Sequence, residues 1–349
     1  MAAVSADFAR HKTGDTKVII GSGPCAQLTR PRRPKMSIMS PPEPQMPTRP
    51  DQRTHATLAI CSAAFITTLQ DTIIKWMSGS YPFHEMQTIR CGVALLFVTV
   101  FVLRNGGLGT LATPQLPLVL LRGLLLGLAS MLFYLAAVAM PFSEAVALYF
   151  TMPLLVVGLA GVFLGERVPP RRWLAVAIGF AGVVVMLRPG TALFEPAALL
   201  ALAAALCYAA GNILTRPLSA QLTLGPLAFW QNVMYVAVAL ALSAAFGSGA
   251  LHSSSHVSLD YLTRGWLWPA LPDLALIVTL GLGTGALMLL YTAAYRFADA
   301  SFVAPFEYTA MVWAVLFSFL IWRQLPDLTA LTGIGLIVGS GLLLLVRER

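Results

Sequence analysis

Tyr134-Leu-Ala-Ala-Val-Ala-Met-Pro-Phe-Ser-Glu-Ala-Val-Ala147 and Tyr291-Thr-Ala-Ala-Tyr-Arg-Phe-Ala-Asp-Ala-Ser-Phe-Val-Ala304 align without a gap. Each segment then enters a long apolar span, a short polar loop and a last apolar span. The loops are Gly165-Glu166-Arg167-Val168-Pro169 and Arg323-Gln324-Leu325-Pro326-Asp327. A weaker match joins the starts of the two halves, with Asp71 and Lys75 opposite Asn212 and Arg216, and Arg90 opposite Gln231. Correspondences in the same order along both halves read as an internal repeat.

Outward from these segments, residues 56–346 are a succession of apolar stretches. Each runs about 17–25 residues, the length a helix needs to cross a ~30 Å hydrocarbon layer. Spans are expected at 56–78, 82–103, 117–139, 142–164, 172–188, 196–216, 224–246, 272–296, 300–322 and 328–346. The fold class is therefore an all-α integral membrane protein of ten transmembrane helices. Its expected parts are a disordered tail at 1–55 and five-helix repeats at 56–190 and 196–346. An odd number of spans per repeat inserts the second half upside down relative to the first. Inverted repeats supply two exchangeable packings, open to opposite sides, which is the architecture of alternating access.

A hydrophobic fraction of 57% with 11% charged residues excludes an ordinary soluble domain. The net charge of +8 is concentrated in residues 1–55, which hold nine Lys/Arg against four Asp/Glu and eight of the 23 prolines. Arg30-Pro-Arg-Arg-Pro-Lys35 reads as a cytosolic flank rather than a nucleic-acid contact, so no nucleic-acid partner is expected. The first long apolar run begins near residue 56, so no signal peptide is read, and Met36 and Met39 stand beside Met1 as possible starts. With the N-terminus inside, inner loops carry Arg104, Arg167, Arg171, Arg172, Arg216, Arg296, Arg347 and Arg349, while outer ones carry Arg188, Arg264 and Arg323, with Lys75 at an edge. That asymmetry places both termini in the cytoplasm and the chain in the cell inner membrane. The longest outer loop, 247–272, contains Trp266 and Trp268, which suit an interfacial segment.

A charge in hydrocarbon costs about 2.5–3.5 kcal/mol on insertion scales, so it faces a partner or a water-filled cavity. Asp71 and Lys75 are four apart on one helical face, in the acid-first order, and either pair with each other or touch a substrate. Arg90 lies ~12 Å into its span at 1.5 Å per residue, placed for an anion contact or a tie to Asp71 or Glu85. Arg122 reads as snorkelling to headgroups, and Glu144 as a charge at a helix start. Glu307 stands between Phe306 and Tyr308, two residues after Pro305, with no base beside it in the sequence. A carboxyl there either packs by hydrogen bonding, binds substrate or carries a proton that couples transport. Tyr134 and Tyr291 occupy equivalent positions in the repeat; their rings are expected either to pack between helices or lipid or to flank a central cavity and stack on a flat substrate.

Pro153 and Pro305 fall inside spans and are expected to kink them. Small residues four apart (Gly161 and Gly165, Gly281 and Gly285, Gly335 and Gly339) are expected to let helix backbones approach. Cys25, Cys61, Cys91 and Cys207 have no metal or redox spacing, and no metal or cofactor is expected. No paired-Asp, Gly-x-Ser-x-Gly, His-Glu-x-x-His or Gly-x-x-x-x-Gly-Lys motif is present, so the reading is a transporter, not a membrane enzyme or ATPase. A channel and a receptor are weaker alternatives.

The repeat, and above all Tyr149 to Val185 with Leu164-Gly-Glu-Arg-Val168 and the glycines Gly179 and Gly182, resembles the EamA type of the drug/metabolite transporter superfamily. The resemblance covers 56–346; the second half departs from it with Arg323-Gln324 in place of Gly-Glu. It implies a secondary transporter of small molecules, working in either direction across the bilayer, on amino acids, sugars, nucleotide derivatives or drugs. Asp71-Thr-Ile-Ile-Lys75 with Arg90 is most similar to members linked to uptake of riboflavin or S-adenosylmethionine, and riboflavin or a similar planar metabolite is the expected substrate. Export of amino acids or drugs is the alternative.

Overall fold

A peptide chain in hydrocarbon has no water to satisfy its N–H and C=O groups, so it must bond to itself as it crosses. A computed structural model describes residues 50–163, 168–191, 195–219, 222–297 and 300–345. These belong to one unit, Thr48–Arg349. They form α-helices with one 3-10 turn at Leu108–Leu111 and, among the described residues, no strand. The helices are α1 (Pro50–Met77), α2 (Phe83–Arg104), α3 (Leu116–Ala139), α4 (Phe142–Tyr149), α5 (Met152–Phe163), α6 (Pro170–Leu187) and α7 (Ala198–Ser219). They continue as α8 (Leu224–Phe246), α9 (Val257–Thr263), α10 (Leu271–Phe297), α11 (Ala300–Glu307), α12 (Thr309–Trp322) and α13 (Leu328–Leu345).

Among the described residues, 8 stretches are long and apolar enough to cross a membrane, and Leu271–Gly285 and Leu328–Leu344 are shorter apolar helices. The chain is a multi-pass membrane protein. α1 starts at Pro50, ahead of the apolar run, because its polar first turns extend the helix beyond the hydrocarbon. The remainder of the expected tail, and Gly165, Glu166 and Arg167, lie outside the described residues.

The expected fourth and ninth spans are each two helices in line, broken between α4 and α5 and between α11 and α12. Both breaks fall at the same place in the repeat, since the alignment that pairs Tyr134 with Tyr291 sets Thr151 opposite Tyr308. Pro153 has no N–H to give the carbonyl of Tyr149, and Pro305 has none for Ser301. Threonine hydroxyls bond other carbonyls beside the breaks: Thr151 Oγ1 donates to Leu148 O at 2.7 Å and Thr309 Oγ1 to Phe306 O at 2.7 Å.

Packing follows the repeat as well. α1 lies on α10 and α3 on α7, contacts that exchange when the halves are exchanged. α3 on α8 and α10 on α2 form another such pair, while α2 on α8 and α6 on α13 map onto themselves. Backbones approach closely where α6 meets α13. A Cβ on Gly182 would stand 2.9 Å from Gly333 O, and one on Gly333 would stand 2.9 Å from Gly182 O. Gly281 meets Arg90 O at 2.7 Å in the same sense. Gly335 and Gly339, read from spacing as contact residues, face open space instead, because the face of α13 against α6 carries Gly333, Ile337 and Ser340. Replacing Gly182 or Gly333 by valine should force α6 from α13 and lower stability by about 1–3 kcal/mol. The melting temperature of the detergent-solubilised protein would fall; an unchanged value would show that this contact yields freely.

Candidate functional site

The two helix breaks face one cavity of about 520 Å³. Both halves build it. From the first come Thr67, Thr68 and Asp71 of α1, Arg90 of α2, Ser130, Phe133 and Tyr134 of α3, and Tyr149, Phe150 and Met152 at the first break. From the second come Tyr208 of α7, Tyr235 of α8, and Glu307 and Ala310 at the second break. Its size lies inside the range of small-molecule sites, roughly 300–1,000 Å³. Aromatic rings pave one wall: Phe133 and Tyr149 have centroids 4.9 Å apart, Tyr149 and Tyr208 5.6 Å, and Phe150 meets Tyr308 at 5.3 Å.

A chain of hydrogen bonds links three of the expected residues. Arg90 Nη2 donates to Gln87 Oε1 at 2.9 Å, and Nη1 donates to the Tyr134 hydroxyl at 3.2 Å. Tyr134, buried, donates in turn to Asp71 Oδ1 at 2.7 Å. Arg90 therefore reaches Asp71 through a tyrosine rather than directly, and its guanidinium also lies over that ring at 5.5 Å. The tie considered between Arg90 and Glu85 is not formed, because Glu85 Oε2 accepts the Leu267 N–H at 2.8 Å.

Lys75 is not at the cavity and does not pair with Asp71. Its Nζ donates to Met140 O at 2.6 Å and sits 4.9 Å over the Trp322 ring. One helical turn separates the two residues, and Lys75 is far enough toward the end of α1 to meet the free carbonyl past α3. Arg122 does not snorkel: Nε donates to Thr215 Oγ1 at 2.6 Å and Nη1 to Gln231 Oε1 at 3.1 Å, since α7 and α8 cover the start of α3 with polar side chains. Gln231 Nε2 then donates to the Tyr235 hydroxyl at 3.1 Å. Tyr291 lies on α10, with its side chain outside the described residues. Glu307 lines the cavity, neither fully buried nor fully exposed. Tyr208 went unread because its aromatic period matches ordinary packing; the repeat was the available signal, since it precedes Asn212, the position opposite Asp71.

At the end of the bundle holding the α8–α10 connection, the halves are laced together. Arg188 is ion-paired with Asp327 across the halves, and within the second half His256 Nε2 lies 3.3 Å from Glu195 Oε1. Tyr81 donates to Asp273 Oδ2 at 2.6 Å, which pushes its hydroxyl pKa upward. The Arg188 guanidinium holds the Asp327 carboxyl below its usual range, so this pair persists at neutral pH and is lost only in acid. Between these ties, α9 buries Tyr261 against Phe83 at 6.0 Å. Trp268 beside it is 85% exposed, as an interfacial residue would be.

Residues 55–188 and again 195–346 match the EamA-like transporter family. This chain belongs to that family. It is similar to the S-adenosylmethionine uptake transporter of Rickettsia bellii (strain RML369-C), 26% identical over 80% of this chain and 89% of that protein. The riboflavin transporter of Rhizobium johnstonii is 28% identical over 82% of this chain and 89% of its own length. A pseudopaline exporter of Pseudomonas aeruginosa is 23% identical over 79% and 90%. One crystal structure, 21% identical, covers 85% of this chain and 100% of its own with a TM-score of 0.58, a likeness of fold alone. The family and these relatives are transporters, not enzymes, and the chain is one of the drug/metabolite transporters.

The Arg90–Tyr134–Asp71 chain should be structural as well as functional. Tyr134→Phe should lower stability by removing one bond each from half-buried Arg90 and Asp71, each bond to a charged group being worth about 1.5–3 kcal/mol. A melting temperature equal to that of the unsubstituted protein would show that Arg90 and Asp71 find each other without the hydroxyl.

Proposed function

We propose that this protein is a secondary transporter that takes up riboflavin or a similar planar metabolite across the inner membrane by alternating access. The observation that carries this is the cavity at both helix breaks, built by both halves and walled by aromatic rings with Asp71, Arg90 and Glu307 at its edge. Broken helices free backbone dipoles only where protein or water can meet them, and transporters of inverted repeats bind there. Supporting the five-plus-five inverted reading are the two family matches in tandem, the repeat-related contacts and the equivalent breaks. With both termini in the cytoplasm, the laced end is the outer one, and the cavity is shut off from the outside.

Flavin and adenine rings are both flat, so the aromatic wall fits either. A second reading, S-adenosylmethionine, is favoured by two carboxylates, Asp71 and Glu307, against one guanidinium on the cavity, a balance that suits a cationic ligand. The similarity to S-adenosylmethionine uptake transporters agrees with it. Expression in a riboflavin-requiring bacterial strain should restore growth on low external riboflavin. No rescue, together with saturable uptake of labelled S-adenosylmethionine, would transfer the assignment to the second reading.

Glu307 is assigned to substrate binding or proton coupling. Its charged neighbours on the cavity are Asp71 and Arg90, and Tyr208 and Tyr308 adjoin it. Glu307→Gln should flatten the pH profile of uptake or raise KM about tenfold or more. An unchanged rate and pH profile would remove Glu307 from the mechanism.

A further inference from the structure

We propose that Tyr235 donates a hydrogen bond from its hydroxyl to an acceptor atom of the transported molecule, and that Arg122 and Gln231 are the positioning residues that free its proton for this. The inference rests on the central cavity being the substrate site, as proposed above, and adds a recognition chemistry to it.

Arginine has donors and no acceptor. The Gln231 side-chain atom that meets Arg122 Nη1 at 3.1 Å must therefore be its carbonyl oxygen, which fixes the orientation of an amide otherwise open to inversion. Its NH2 group then faces Tyr235 at 3.1 Å, and an amide NH2 only donates. The Tyr235 oxygen is consequently an acceptor in that bond, and its own proton is left over. Arg122 is held in turn: its Nε donates to Thr215 Oγ1 at 2.6 Å, and that hydroxyl spends its proton on Gly211 O at 3.0 Å. Tyr235 itself lines the cavity, so the proton left over stands beside the space a ligand would fill.

Tyr134, which also lines the cavity, has the reverse fate. It accepts from Arg90 and delivers its proton to Asp71 Oδ1, so it has none for a ligand. Arg90 and Gln231 are both the eighth residue of their helices, α2 and α8. Equivalent positions thus end in unlike groups, a carboxylate acceptor on the α1 wall and a hydroxyl donor on the α8 wall. The matching ligand is a flat molecule with an acceptor such as a carbonyl oxygen or ring nitrogen at one edge and an N–H, O–H or cationic group at another.

The test measures uptake of labelled riboflavin and of labelled S-adenosylmethionine in cells expressing the full chain, with KM and maximal rate determined separately. Tyr235→Phe should raise KM for the transported compound about tenfold, the scale of one net hydrogen bond, with little change in maximal rate. Gln231→Glu is the second variant. A glutamate paired with Arg122 presents an acceptor to Tyr235 and captures its proton, so KM should rise by a similar factor, and the double variant should show no further increase. An unchanged KM in either variant, or additive effects in the double, overturns the assignment of Tyr235 as the donor while leaving transport in place. Failure of the unsubstituted chain to take up either compound overturns the substrate reading, and this inference with it.

Discussion

The absence of water in hydrocarbon governs this structure more than any single contact. A helix satisfies its own peptide groups and can face lipid anywhere along its length; a break in a helix cannot. The interruptions at Phe150–Thr151 and Tyr308 are therefore confined to the interior, and the cavity is where they are. Proline supplies the interruption by withholding an N–H, and threonine hydroxyls bond carbonyls beside both breaks. Packing around the breaks is then constrained in turn: α6 and α13 approach through Gly182 and Gly333 along a contact that maps onto itself when the halves exchange.

Inside that frame the polar side chains are arranged as two hydrogen-bond relays rather than as isolated charges. One runs from Gln87 through Arg90 and Tyr134 to Asp71, and the other from Arg122 through Gln231 to Tyr235. Each holds an arginine by two side-chain acceptors, Gln87 and the Tyr134 hydroxyl for Arg90, Thr215 and Gln231 for Arg122. A half-buried guanidinium is tolerated where its donors meet oxygens in this way. The second relay spans the halves, since Arg122 belongs to the first and Gln231 to the second. A motion of one half against the other would therefore be felt at Tyr235. The Arg188–Asp327 pair, the Tyr81–Asp273 bond and the packing of Tyr261 on Phe83 lie across the same divide.

Much of this was legible from residues alone. Apolar length located most of the long helices to within a few residues, because a ~30 Å layer sets the length of a crossing helix. Asp71, Arg90, Tyr134 and Glu307 stood out because polar groups in such spans are costly and need a reason. What misled was local spacing. Asp71 and Lys75 share a helical face, yet the carbonyl of Met140 and the ring of Trp322 offered Lys75 a partner that no i,i+4 rule contains. Gly335 and Gly339 have the spacing of a contact stripe, but a stripe does not say which side of its helix meets a neighbour.

The sequence by itself determined that the chain crosses a membrane many times, that it is made of two related halves and that the family is one of transporters. Those properties depend on length, periodicity and repetition, which are local or one-dimensional. The tertiary structure alone decided which polar groups meet. Arg122 meets Thr215 and Gln231 rather than lipid headgroups because α7 and α8 pack on α3, and Tyr208 reaches the cavity because α7 rests on α3 and α5. Hydrogen bonds are directional and short, so partners distant in sequence are fixed only when the helices have been set against one another.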